Sequence, residues 1–188
     1  MVIGASAGGV EALGQLLPAL DARCRAAVLV VVHVPRERPN LLAGLFAARC
    51  ALPIREAVDK EPLQGGAVYF APPDYHLLVD CEAGSAPSVA LSVDEPVRYS
   101  RPSIDVLFES AAECWREHLV GVILTGGNDD GARGLAAVAR AGGITIVQEP
   151  GEAIAAALPL AAVGTGFAHH VLPLARLRQV FAELGHRA

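Results

Sequence analysis

Three side chains of the sequence could together carry out nucleophilic hydrolysis. Ser6 lies in the segment Gly-Ala-Ser-Ala-Gly at 4–8, which fits the G-x-S-x-G pattern of a nucleophile elbow. His33 ends an apolar run, and a neutral imidazole can accept the proton of a serine hydroxyl. Asp130 lies in a glycine-rich loop, from which a carboxylate could orient that histidine. A serine, a histidine and an aspartate are the members of a catalytic triad.

Each of these residues also has a structural explanation when it is taken alone. The turn around Ser6 could serve only to pack a helix against a strand. His33 could be a core histidine bonded to the backbone, and Asp129 or Asp130 could cap the next helix. The triad hypothesis rests on the combination, because each residue follows a different predicted strand, and functional residues gather at the carboxyl ends of parallel strands.

The elements that must position these residues alternate between short strands and amphipathic helices. The continuous aliphatic runs at 27–34 and 119–125 are typical of strands buried on both faces. Strand-like runs at 76–79 and 88–93, separated by a short turn, predict an antiparallel hairpin. The pattern therefore predicts an α/β fold, a doubly wound and mostly parallel sheet with helices on both faces and an added β-hairpin. Helices are predicted at 41–50 with Asn40 as cap, at 102–118, 131–141 and 174–184, and after Gly9 until Pro18 ends or bends the helix.

Composition and charge limit the classes of function. The 188 residues fit a single domain spanning 1–188. The net charge is -5 and the only lysine is Lys60, so a nucleic-acid partner is not expected. The longest weakly polar run, at 153–168, is interrupted by proline and glycine and is shorter than the roughly 20 residues of a spanning helix. Since no signal peptide is visible either, we expect a cytoplasmic protein without direct membrane insertion.

Cofactor and metal chemistry is not indicated. The histidine pair at 169–170 lacks a third ligand at a usable spacing, so a surface pair is the preferred interpretation. Arg98 and Arg101 precede a predicted helix and are interpreted as exposed, although they could contact a substrate. No two cysteines form a C-x-x-C pair, so we expect free thiols in a reducing compartment. The cysteines are Cys24, Cys50, Cys81 and Cys114.

Five motifs in order resemble the catalytic domain of the protein-glutamate methylesterase of bacterial chemotaxis, the CheB-like family. They are IGASAGG, VVHVP, YFAPPDYHLLV, RPSIDVLF and LTGGNDDGARGL, and the resemblance covers residues 1 to about 174. It implies Ser6 as nucleophile, His33 as base and Asp130, directly before Gly131, as orienting acid. The implied substrate is a glutamate methyl ester on a methyl-accepting chemoreceptor or another methylated protein. Glutamine deamidation is a related activity of the family.

Two positions depart from the family pattern. Ala7 stands where the family has threonine after the nucleophile. In the family's L-T-G-M-G motif, this chain has Gly127 in place of the methionine and Asn128 in place of the last glycine. Ala7 and Gly127 border the oxyanion site in the family, so we expect their backbone N–H groups to serve as donors. The N–H groups of Ala7 and Gly8, at a predicted helix start, are natural donors to a developing oxyanion. Loss of the side chains leaves such donors in place but alters loop rigidity and substrate fit.

Related methylesterases usually carry an N-terminal receiver domain whose phosphorylation relieves inhibition. Only three residues precede Gly4, so we expect a receiver-domain partner to be missing from this chain and the chain to be constitutively competent. Two alternative functions stay open. One is a nucleotide-binding oxidoreductase, although the glycines around Ser6 do not fit G-x-G-x-x-G. The other is a non-catalytic scaffold of the same fold.

Overall fold

A computed structural model describes residues 1–33, 41–81 and 84–184. Its main sheet has seven parallel strands in the order β3-β4-β2-β1-β7-β8-β9. These strands are β1 (Val2–Ala5), β2 (Ala27–Val32), β3 (Ile54–Glu56), β4 (Ala67–Phe70), β7 (Val120–Ile123), β8 (Ile144–Gln148) and β9 (His170–Leu172). A separate two-stranded sheet contains β5 (His76–Asp80) and β6 (Ser88–Ser92). The predicted parallel sheet is confirmed.

Helices cover both faces of the sheet, because alternate residues of each strand point to opposite sides. Ile3 and Val30 join the core beneath the first, second and sixth helices, whereas Val2 and Leu29 join the core beneath the third, fourth and fifth. Both faces of the sheet are therefore buried from solvent, which explains why the strands are continuous runs of aliphatic residues. The helices are α1 (Gly9–Leu16), α2 (Leu42–Ala47), α3 (Ile104–Trp115), α4 (Ala132–Arg140), α5 (Ala157–Gly164) and α6 (Leu174–Glu183).

The predicted hairpin is also confirmed. Strands β5 and β6 pair antiparallel from His76 opposite Ser92 to Asp80 opposite Ser88. The apolar face of the hairpin packs into the same core as α3. The expectation of free thiols is wrong for one pair of cysteines, because a disulfide joins Cys81, just after β5, to Cys114 near the end of α3.

The sequence predicted some ends of helices and strands correctly and missed others. Helix α1 ends at Leu16, and a single 3₁₀ turn (Leu17–Ala19) contains Pro18, as predicted. Helix α2 is shorter than the predicted 41–50, and its predicted cap Asn40 lies outside the described residues. The edge strands β3 and β9 were not predicted, because three residues are too few to show a period. Within the described ranges, the helices are all too short or too polar to cross a bilayer.

Candidate active site

Ser6 and His33 leave neighbouring strands at the same level of the sheet. Ala5 of β1 lies opposite Val32 of β2, so the next residue of each strand emerges at the same edge. Adjacent strands are about 4.8 Å apart, which brings the two backbones close together. The His33 N–H donates to the Ala5 carbonyl at 3.1 Å, and the Ser6 N–H donates to the Thr125 carbonyl, after β7, at 2.9 Å. The edge thus unites the ends of three strands.

The turn after Ser6 has the sharp form that the G-x-S-x-G pattern predicts. The Gly9 N–H donates to the Ser6 carbonyl at 2.8 Å, and α1 begins at Gly9. Gly8 has a φ of +79°, and a Cβ there would lie 2.7 Å from the Cβ of Ile154. Only glycine fits this conformation and this contact. The turn therefore presents a partly exposed Ser6 between β1 and α1.

His33 and Asp130 form a direct contact at this edge. The Nε2 atom of His33 lies 2.8 Å from Oδ2 of Asp130. The Asp130 side chain is fully buried and the His33 side chain is 14% exposed. A carboxylate can only accept a hydrogen bond, so Nε2 carries the hydrogen. In the neutral ring, Nδ1 is then the nitrogen with a free lone pair.

Asp130 is fixed by three further donors. Oδ1 accepts from the Ser103 hydroxyl at 2.7 Å and the Asp105 N–H at 3.1 Å, and Oδ2 accepts from the Ile104 N–H at 2.7 Å. Two of these donors are backbone N–H groups at the start of α3, where an anion is favoured. Burial is the largest effect on the pKa of Asp130 and raises it. The bonds from His33, Ser103 and the two N–H groups together outweigh burial, so the pKa lies below its usual range.

Sequence reasoning missed the residues that support Asp130. His76 is buried, and its Nδ1 accepts from the Ser103 N–H at 3.1 Å. Its Nε2 therefore carries the hydrogen and donates to the Glu95 carbonyl at 3.2 Å. Ser103 also accepts from the Val106 N–H and so caps α3. A serine directly before an apolar helical run was the one local signal that could have identified it.

The turn after Ser6 and the loop after β7 both contain backbone N–H groups without a backbone acceptor in the described residues. These include the N–H groups of Ala7, Gly8 and Gly127, and both Ala7 and Gly127 are exposed. The neighbouring Gly126 N–H, by contrast, is engaged by the Ala155 carbonyl at 2.9 Å. Ala7 and Gly127 follow the ends of β1 and β7 respectively, so they lie on the same rim as Ser6.

The two arginines differ from each other. Arg101 is mostly buried, donating to Asp74 at 2.9 and 3.0 Å and to the Val93 carbonyl at 2.7 Å, so its interpretation as exposed is wrong. Arg98 is 43% exposed and pairs with Asp129. Asp129 itself is 53% exposed. The two adjacent aspartates thus face different partners, Asp129 an arginine and Asp130 a histidine.

The structure is a doubly wound α/β domain with a serine, a histidine and a buried aspartate at one edge of its sheet. The CheB methylesterase family matches residues 1–181, and the chain belongs to this family. This membership argues against the oxidoreductase alternative.

Similar proteins support the assignment. The crystal structure of the Thermotoga maritima CheB methylesterase catalytic domain superposes with a TM-score of 0.92 at 31% identity, covering 97% of this chain and 96% of that one. A Leptospira interrogans protein is 39% identical over 98% of this chain and 93% of its own length. Proteins of Symbiobacterium thermophilum (42% identical) and Caulobacter vibrioides (37% identical) are named protein-glutamate methylesterase/protein-glutamine glutaminase. This chain spans 47% and 53% of their lengths.

Proposed function

We propose that this protein is a serine hydrolase that demethylates glutamate methyl esters, and deamidates glutamines, on the cytoplasmic region of chemoreceptors. Residues 1–188 act as a single catalytic domain, and the reaction takes place in the cytoplasm. The observation that carries the proposal is the 2.8 Å contact between His33 and the buried Asp130, at the edge where Ser6 emerges in register with His33. The names of the related proteins support protein-bound glutamate methyl esters and glutamines as the substrate class, and the resemblance to the chemotaxis methylesterases supports chemoreceptors.

The geometry suggests how the first half of the reaction proceeds. The Ser6 hydroxyl oxygen attacks the ester carbonyl carbon while its proton passes to Nδ1 of His33, the nitrogen not bound to Asp130. The positive imidazolium is stabilised by the Asp130 carboxylate, whose low pKa keeps it ionised at neutral pH. The carbonyl oxygen becomes an oxyanion that accepts from the N–H groups of Ala7 and Gly127.

Collapse of this intermediate breaks the bond to the methoxy group, which takes the proton from Nδ1 of His33 and leaves as methanol. A water molecule then attacks the acyl-Ser6 ester, giving its proton to the same nitrogen. The Ser6 oxygen recovers that proton as glutamate is released. With a glutamine substrate the leaving group is ammonia instead of methanol, and the remaining steps are the same.

The departures at the rim affect fit rather than the donors themselves. Backbone N–H groups persist whatever the side chain, so Ala7 and Gly127 can serve although the family has larger residues there. Ala7 has only a methyl group and Gly127 has no side chain, so these two positions fill less space beside Ser6 than the family's larger residues would. A methylated protein other than a chemoreceptor therefore remains a second candidate substrate for this site.

Covalent labelling tests the proposal. A fluorophosphonate ester reacts only with an activated serine, and mass spectrometry of the digested adduct identifies the modified residue. We expect a single adduct on Ser6, together with methanol release from a methylated chemoreceptor fragment. An unlabelled protein without methanol release would instead identify a non-catalytic scaffold of the same fold. An adduct on another serine would refute the assignment of Ser6.

A further inference from the structure

Asp105 is a buried carboxylate that takes no part in the mechanism above, although it lies beside Asp130. Its side chain is 0% exposed. Its Oδ1 accepts from the Gly131 N–H at 2.9 Å and from the Gly134 N–H at 2.7 Å. Gly131 directly follows Asp130 and precedes α4, so Asp105 holds the backbone that carries the proposed acid of the triad.

Asp105 and Asp130 cap each other's helices. The Asp130 carboxylate accepts from the Ile104 and Asp105 N–H groups in the first turn of α3. The Asp105 carboxylate accepts from Gly131 and Gly134 at the start of α4. Each carboxylate thus satisfies N–H groups that a helix start leaves without intrahelical partners. If Asp130 moved relative to α3, the hydrogen bonds that it accepts from α3 and those that Asp105 accepts from the start of α4 would both break.

The close approach of the two segments depends on Gly131. Its φ is +116°, and a Cβ there would lie 2.7 Å from Cγ2 of Ile104 and 2.9 Å from Cδ1 of Ile123. The absence of a side chain lets the Asp130–Gly131 backbone lie against the first turn of α3. In that position the Gly131 N–H reaches Asp105.

The second oxygen of Asp105 is unusual. Oδ2 is buried and accepts no hydrogen bond from the residues that the structure describes. Among the described residues, the nearest cations are the Nε atoms of Arg98 and Arg133, each 3.7 Å away. Burial is the largest effect on the pKa of Asp105 and raises it, and the Asp130 charge raises it further. A second buried carboxylate so close to the first is unfavourable, which indicates a role that an apolar side chain could not fill.

We propose that Asp105 is a positioning residue, whose Oδ1 atom fixes the backbone after Asp130 and so keeps the Asp130 carboxylate aligned with Nε2 of His33. The inference rests on the proposed function of Ser6, His33 and Asp130. Asp105 acts through its two accepted hydrogen bonds rather than through its charge. This distinction between geometry and charge can be tested with substitutions.

The experiment compares three variants. Asp105→Asn keeps an acceptor oxygen and removes the charge, whereas Asp105→Ala removes both. Glu109→Gln is the matched control, since Glu109 pairs with Arg133 at 2.6 Å and links the same two helices away from Asp130. Methanol release from a methylated receptor fragment gives kcat and KM. The far-downfield proton resonance of the His33 Nε2–H reports the bond to Asp130 directly.

We expect Asp105→Ala to lower kcat by about 10- to 100-fold, the loss that an ångström-scale misplacement causes, with KM unchanged. The downfield resonance should be lost in the same variant. Asp105→Asn should retain the resonance and most of the wild-type kcat, and Glu109→Gln should match wild type in both. If Asp105→Ala does not fold, Asp105→Glu replaces it. The longer side chain keeps the charge but cannot place one oxygen between both N–H groups, so it should show the same losses.

Two results would overturn the inference. One is an Asp105→Ala or Asp105→Glu protein that has a lower melting temperature but keeps the wild-type kcat and resonance, because the role of Asp105 is then only structural. The other is an Asp105→Asn protein as impaired as these variants, because the charge then matters. The resonance does not involve Ser6. If Ser6→Ala stays active while Asp105→Ala loses the resonance, the assignment of Ser6 as nucleophile fails, and the role of Asp105 in aligning Asp130 with His33 stands.

Discussion

Two regions at the same sheet edge hold their functional side chains in opposite ways. The turn around Ser6 is held by its main chain, through the Ser6 N–H and carbonyl, and the residue is partly exposed. The loop around Asp130 buries its side chain completely and gives the carboxylate four donors. The first region is fixed by its backbone and leaves Ser6 partly exposed, whereas the second fixes the side chain itself.

This difference fits the chemical task proposed for each residue, Ser6 as nucleophile and Asp130 as orienting carboxylate. A nucleophile must move toward a carbonyl carbon and change its bonding during the reaction. An orienting carboxylate must stay ionised and aligned while a proton passes to and from the histidine. The comparison suggests that removal of the Ser6 side chain acts on chemistry with little effect on stability, whereas substitution of Asp130 acts on both.

The largest effect should come from Ser6→Ala. Removing the proposed nucleophile should lower kcat by a factor on the order of 10⁶, as in a serine protease. The melting temperature should hardly change, because the main-chain bonds of the turn persist. Methanol release and thermal melting measure the two quantities. Ser85→Ala, at an exposed serine in the hairpin turn, is the control and should behave as wild type. An active Ser6→Ala protein would refute the mechanism.

Asp130→Asn should follow, with a loss of about 10⁴ in kcat, the figure for the corresponding change in a serine protease. Asparagine cannot accept from all four donors in the same geometry, and its NH₂ group would face a donor. Unlike Ser6→Ala, this variant should also be less stable. Asp129→Asn is the matched control, since Asp129 is 53% exposed and pairs with Arg98, and its effect should be small. The reverse ranking would show that the wrong aspartate has been assigned.

How far the sequence predicted these regions also differs between them. The Ser6 turn is local, so glycine spacing between a strand and a helix was enough to predict it. The fold class followed from aliphatic runs of adequate length, whereas the three-residue edge strands gave no periodic signal. The support of Asp130 comes from Ser103 and Asp105, some 25 residues earlier, and from His76. Such contacts depend on how α3 packs beside β1, which no spacing within the sequence reveals.

A smaller effect is expected when the stability of Asp130→Asn and of wild type is compared across a range of pH. The pKa of Asp130 is lower in the folded protein than its ordinary value of about 3.9, so the folded state binds fewer protons. Ionised Asp130 therefore stabilises the folded state fully at pH values above the ordinary pKa. This stabilisation is lost as the pH falls through the lower pKa of the folded protein. Denaturant titrations from pH 6 to 2, a range that spans about two units on either side of that value, should show a shallower acid-side decline for Asp130→Asn than for wild type. Ser6→Ala should keep the wild-type decline, and equal slopes in all three would contradict the bonding described.

The smallest effect on activity should come from the disulfide, which lies far from either region. Cys114 is ten residues beyond Ile104 on α3, and a rise of 1.5 Å per residue places it roughly 15 Å along the helix from the Asp130 contacts. The bond to Cys81 closes a loop across a sequence separation of 33, so its loss should lower the free energy of unfolding by roughly 2–4 kcal/mol. Cys114→Ser should therefore unfold at lower denaturant concentration while keeping the wild-type kcat, because the α3–α4 contacts proposed to align Asp130 are retained. Cys50→Ser, which alters a free and partly exposed thiol, is the control for the substitution itself.

A Cys114→Ser protein with unchanged stability would show that the disulfide adds nothing to the stability of the fold. One with reduced kcat at full folding would show that the far end of α3 influences the alignment of Asp130 with His33.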